Sequence, residues 1–249
     1  MSDTTTAPVR RPLGRDYLAA VSELVASRQP AVGERITAAA ELVGRSVAEG
    51  GILHLFGSGH SRLVAIDAAA RAATLTASRA VVAEEWPGQV ERVEGLGEII
   101  LRRTDLGAGE VIVVISNSGL NPLPIDVAMV ASARGASVVG VGSAAHSLAG
   151  ESRHSSGRRL LDVSDVFLDT GVPAGDALFE PDDTPPAGPA STILAATLVH
   201  AVIVEASRWM RDHGSEPPVR RSRNLPGGDE HNAALAARYQ DRIPELRWI

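Results

Sequence analysis

Apolar positions recur every three or four residues over 17–25 and again over 36–47, the period of a helix that buries one face. Pro30 and Gly33 fall between them, so two leading helices are predicted, the second closed by Gly50 and Gly51. From residue 52 the pattern changes. Short unbroken apolar runs at 52–56 and 111–115 each end in a turn rich in Gly and Ser, and each is followed by a helical pattern, at 63–73 and 124–133. Runs at 80–83, 137–141 and 166–168 predict three more strands. Strand and helix alternating in this way require crossover connections and therefore a parallel sheet. Such a sheet is covered on both faces, which is why its strands show no polar alternation. Residues 169–189, rich in Pro, Gly and Asp, read as a long functional loop. Residues 190–210 predict a helix that is apolar nearly all round and packs on the sheet or on a second chain. Past Gly214, Glu216-Pro217-Pro218 opens an irregular tail with a short helix near 233–239.

Composition narrows the chemistry. The chain has 249 residues, 44% of them hydrophobic and 22% charged, enough for one large α/β domain or two small ones. It contains no cysteine, and all 24 residues counted as Lys+Arg are arginines. A lysine Schiff base, a P-loop lysine, a thiolate nucleophile, a disulfide and Cys-ligated zinc are thereby excluded. The net charge of −6 speaks against nucleic acid as a partner. The first residues lack the apolar core of a signal peptide, and the run at 193–204, interrupted by Thr197 and His200, is short for a bilayer. A soluble cytoplasmic protein with no membrane partner is expected.

The stretch Ile52-Leu53-His54-Leu55-Phe56-Gly57-Ser58-Gly59-His60-Ser61 reads as a strand entering a glycine turn that opens a helix. Its backbone N–H groups and the Ser61 hydroxyl suit an anion, aided by the helix dipole. The third glycine of a dinucleotide fingerprint is missing, so no nicotinamide cofactor is expected. Ser116-Asn117-Ser118-Gly119, with Asn121 close behind, repeats the arrangement after the third strand. Neighbouring parallel strands bring both turns to one edge of the sheet, where open α/β folds bind ligands. Short hydroxyl and amide groups without a basic residue fit a phosphate monoester held by hydrogen bonds; the alternative is that they are simple turn formers.

These two turns resemble the hallmarks of the SIS (sugar isomerase) domain, over about residues 36–210. The resemblance implies a three-layer, doubly wound fold with a five-stranded parallel sheet in flavodoxin-like order. It also implies a sugar-phosphate ligand and dimers or tetramers that complete one another's sites. Residues 1–35 would then be a helical segment, 36–213 the domain, and 214–249 a tail packing near an active site. Phosphate contacts fall on Gly59, His60, Ser61, Ser116, Asn117, Ser118 and Asn121. Ser152-Arg153-His154-Ser155-Ser156-Gly157, Gly175-Asp176-Ala177 and Gly227-Gly228-Asp229-Glu230-His231-Asn232 resemble stretches of stand-alone bacterial single-SIS proteins. Two departures matter. Phosphoheptose isomerase and N-acetylmuramic acid 6-phosphate etherase carry a catalytic Glu where this chain has Arg71, and the lysine used by glucosamine-6-phosphate synthase is missing.

Proton transfer must therefore use other groups. Val93-Glu94-Gly95 resembles a stretch of the etherase near its second functional glutamate, so Glu94 is the first candidate base, with an exposed helix residue as the alternative. Glu84 and Glu85 follow the second strand at the same edge. His200 resembles a histidine on the late helix of phosphoheptose isomerase, unless it is a core group. His231 is a candidate for moving a proton from a tail folded over its own or a partner's site, with helix capping by Asp229 as the competing role for that segment. A base on C2 of an open-chain sugar phosphate gives an enediol-like intermediate without a metal. With a C2 hydroxyl the exit is a ketose; with an acetamido group, expulsion of the C3 oxygen is easier. The etherase resemblance implies the second case, loss of water from an amino-sugar 6-phosphate of the N-acetylglucosamine 6-phosphate class. Aldose–ketose isomerisation and a non-catalytic phosphosugar sensor are the alternatives.

Overall fold

The computed structural model describes residues 13–82, 90–179 and 185–248. Strand β1 (Leu53–Gly57) lies between β2 (Ser78–Val81) and β3 (Val111–Ile115), and β4 (Ser137–Gly142) and β5 (Val166–Asp169) extend the sheet beyond β3. The order is β2-β1-β3-β4-β5 and every pairing is parallel, with Leu53 opposite both Ser78 and Val111. Side chains alternate between the two faces of each strand. Leu53, Leu55, Val111, Val113 and Ile115 join one core with Val64, Val43 and Leu198, whereas Phe56, Ile112 and Val114 join a second with Ile100 and Leu123. Both faces are thus filled, and the apolar runs are unbroken for that reason.

Helices α2 (Arg62–Ala70) and α6 (Ser191–Asp212) cover the first face together with α1 (Leu13–Ala48); α3 (Leu96–Arg102) and α4 (Pro122–Ala133) cover the second. The two expected leading helices are one. Pro30 lies inside α1, where it removes one backbone bond without ending the helix. Both halves are held by packing. Leu24 and Val25 lie against Val172 and Leu194, Tyr17 Oη donates to Pro189 O at 2.7 Å, and from Val32 onward the helix enters the main core. Pro30 itself is exposed, so it displaces nothing. Helix α6 is long and apolar enough to cross a membrane by length and composition, but half of that window is buried inside the fold.

The tail folds under the sheet. Thr76 N donates to Pro218 O at 2.7 Å and Leu75 pairs with Val219, just before β2 begins, at the edge opposite the strands' carboxyl ends. After the short helix α5 (Ala144–Ala149), the last helix, α7 (Gly228–Tyr239), begins earlier than its apolar pattern indicated. Asn232 on it bonds both the N–H and the C=O of Arg221, each at 2.9 Å. Further on, Arg242 reaches Glu110 beside β3, at 2.8 Å from Nη1 to Oε1. Glu110 also accepts from Ile52 N and Gly107 N and pairs with His54 Nε2 at 3.2 Å.

Candidate functional site

Two turns meet at the carboxyl edge of the sheet. The first leaves β1 through Gly57, where a Cβ would come within 2.5 Å of Ser61 backbone atoms, and through Gly59 at φ +55°. Only glycine makes that turn, and it sets the Ser61 side chain at the mouth of a cleft. The second leaves β3 and is braced from behind. Ser116 N donates to Val141 O at 2.9 Å, Ser143 N to Asn117 O at 2.8 Å, and Leu160 N to Gly119 O at 2.9 Å. A Cβ on Gly142 would stand 2.3 Å from Ser116 O, so the loop rests directly on the end of β4.

Each hydroxyl of the second turn already accepts one backbone bond. Ser116 Oγ accepts from Gly119 N at 3.3 Å and Ser118 Oγ from Leu120 N at 3.4 Å, which leaves each hydroxyl proton to donate. Asn117 Oδ1 is buried in the cleft without a partner among the described residues, and Thr170, Ser191 and Thr192 complete the polar lining. The start of α6 is set by Asp176. Held at φ +60°, it accepts from Ala190 N at 3.0 Å, Ser191 N at 2.8 Å and Ser191 Oγ at 2.6 Å. Those bonds offset the strain of a non-glycine residue in the left-handed region and satisfy the first N–H groups of the helix.

The predicted phosphate residues come together as expected from the topology: Ser61 and Asn117 line the cleft, Gly59 and His60 form the exposed crest of the first turn, and Ser116, Ser118 and Asn121 run along the second. The candidate bases separate. Glu94 reaches this edge, but its carboxylate accepts from Ser155 N at 2.9 Å and also from Ser155 Oγ. The Ser155 hydroxyl and then its amide hold the Glu94 carboxyl below its ordinary value against the opposing effect of burial, with the charge of His154 adding least, so it is a weaker base than a free glutamate. His154 is itself clamped, Nε2 at 3.0 Å from Asp126 Oδ1 and Nδ1 at 2.7 Å from Ser156 Oγ. His200 pairs with Asp67 at 2.9 Å, and Asp67 with Arg71 at 2.7 Å, on the outer surface of α2 and α6. It lies five residues past Ala195, the last residue of α6 to line the cleft, about 7.5 Å further down the helix. His231 Nε2 bonds Val219 O at 2.9 Å, at the opposite edge of the sheet within this chain. Asp229 pairs with Arg223 at 2.7 Å, and the N-cap of α7 is Gly227. Glu84 and Glu85 lie outside the described residues.

Three groups at this edge were not singled out by spacing. Glu91 Oε2 stands 3.5 Å from Ser58 Oγ beside the first turn, Arg153 reaches Asn121 beside the second, and Asp176 holds α6. Arg153 and Asp176 do fall in two of the motif stretches noted in the sequence; Glu91 carries no local signal.

Comparison with known proteins gives a consistent picture. A family model of the SIS domain matches residues 16–143. A UPF0309 protein of Streptomyces coelicolor is 39% identical over 244 residues, covering 94% of this chain and 97% of the relative. Another, from Halalkalibacterium halodurans, is 37% identical over 217 residues, covering 84% and 87%. Among solved structures, the phosphoheptose isomerase of Neisseria gonorrhoeae superposes with a TM-score of 0.51 at 21% identity, covering 79% of this chain and 100% of that one. A phosphoheptose isomerase from Francisella tularensis superposes at 0.52 and 14%, covering 80% and 100%. At these identities the structural likeness speaks for the fold.

Proposed function

Because the chain belongs to the SIS-domain family, we propose that it is a phosphosugar enzyme acting on an amino-sugar 6-phosphate of the N-acetylglucosamine 6-phosphate class. The observation that carries this reading is the meeting of two hydroxyl-rich turns at the ends of adjacent parallel strands. There Ser116 and Ser118 accept from their own backbone and keep their protons for the oxygens of a phosphate monoester. In the open-chain substrate a base removes the C2 proton and the electron pair moves onto the aldehyde oxygen. Its return forms the C2–C3 double bond and expels the C3 hydroxyl, which leaves as water once protonated. No electron acceptor is needed.

The base is a carboxylate at this edge. Glu94, with both oxygens engaged by Ser155, acts as an anchor for the 152–159 loop. Glu91 at the rim of the first turn, and Glu84 and Glu85 between β2 and Glu91 in the chain, remain. His231 and the tail enter the reaction only in the site of a second copy, so a dimer or tetramer with shared sites is part of the proposal.

Incubation with a panel of sugar and amino-sugar 6-phosphates, followed by mass spectrometry, tests the reading. Loss of one water supports the dehydratase. A new sugar of unchanged mass replaces it with the isomerase, and tight binding without turnover makes the protein a sensor. Among Glu84→Gln, Glu85→Gln and Glu91→Gln, one variant slows exchange of the C2 proton with heavy water by about 100-fold or more. Wild-type exchange in all three would remove the carboxylate base.

A further inference from the structure

The second turn carries hydroxyls and amides but no cation of its own, and beside the first turn, where His60 and Arg62 are exposed, the carboxylate of Glu91 stands 3.5 Å from Ser58 Oγ. A cation beside the second turn would add charge pairing to the hydrogen bonds that these groups offer a phosphate. Arg153 is such a group. Its backbone N–H donates to Leu120 O at 2.9 Å and its Nη1 to Asn121 Oδ1 at 2.8 Å, so main chain and side chain both grip the second turn. Among the described residues no carboxylate pairs with this guanidinium. Its one side-chain partner is an uncharged amide oxygen, and a guanidinium has five N–H donors, so most remain for an anion.

The residue is also pre-positioned. His154 N donates to Ser152 Oγ at 3.2 Å, the His154 ring is fixed by Asp126 on α4 at 3.0 Å, and Ser155 is fixed by Glu94 at 2.9 Å. Asn121 is the N-cap of the same α4, so two consecutive residues, Arg153 and His154, hold the first turns of one helix. An arginine that would otherwise lose side-chain freedom on binding is thereby already partly ordered.

We propose that Arg153 pairs with the substrate's phosphate and sets the preference for phosphorylated over free sugars, an inference that rests on the phosphosugar reading above. The test is calorimetry on the full-length protein with inorganic phosphate as the probe, at low and at high salt, for wild type, Arg153→Gln, Arg153→Lys and Ser116→Ala. Arg153→Gln is expected to weaken phosphate binding by about 10- to 100-fold, the range for losing a charged hydrogen bond, and to flatten its salt dependence. Arg153→Lys should recover part of the affinity and most of the salt dependence, a result that loss of loop structure would not give. If Arg153→Gln does not fold, a wild-type affinity and salt profile in Arg153→Ala or a collapsed affinity in Arg153→Lys overturns the pairing, since a retained charge must retain binding. If Ser116→Ala loses affinity and Arg153→Gln does not, this inference fails while the phosphosugar reading stands. If wild type binds no phosphate, both fail.

Discussion

Glu110→Gln is expected to destabilise the protein by about 3 kcal/mol at neutral pH and by progressively less in acid. Burial by itself would raise the Glu110 carboxyl. The hydrogen bonds from His54, Arg242, Gly107 N and Ile52 N outweigh it and bring the group from 4.5 down to about 2. Its side chain is 6% exposed, so solvent screens little of this. At about 1.4 kcal/mol for each tenfold change in proton affinity, that lowering corresponds to roughly 3 kcal/mol. Because the folded value lies below the unfolded one, the contribution is fully present above about 4.5 and is lost as the pH falls through about 2. Glutamine keeps the shape and one acceptor oxygen but sets an NH2 group against one of the buried donors, Ile52 N or Gly107 N, while Arg242 keeps only its pair with Asp105 at 2.7 Å. Urea unfolding of wild type and variant at one protein concentration, repeated from neutral pH down to about pH 3, measures the difference. A loss under about 1 kcal/mol at neutral pH, or one that does not shrink on acidification, would refute the account of this cluster.

Two further outcomes concern the cleft. Glu94→Gln should raise KM for the phosphosugar while leaving the rate of C2 proton exchange at saturation within about threefold, because it loosens the loop that carries Arg153 without touching the base; a 100-fold slower exchange would return Glu94 to the mechanism. Gly142→Ala sets a methyl group 2.3 Å from Ser116 O, so it should lower stability by about 1 to 3 kcal/mol and weaken phosphate binding, as read by thermal unfolding and calorimetry. Wild-type behaviour in both assays would show that the second turn is not seated on β4.

What the sequence made legible is what local chemistry determines. Burial on both faces of the sheet leaves apolar runs, and the first turn needs glycine at Gly57, where a Cβ would meet backbone, and favours it at Gly59, at positive φ, so the strands and the two Ser-rich turns could be read directly. The break expected at Pro30 was misjudged because a proline on an exposed face costs one backbone bond, while contacts far along the chain hold both halves of α1. The roles of the charged residues depend on partners that no spacing encodes. Glu94 meets Ser155 across 61 positions, His200 meets Asp67 across 133, and Arg153 meets Asn121 across 32. The second turn, which has no basic residue in its own segment, is therefore met by a guanidinium from a loop after β4. The same loop takes up the glutamate that motif similarity had marked as a base. One long-range contact thus brings a charge to the second turn, and a second, in the same loop, fixes the backbone that carries it.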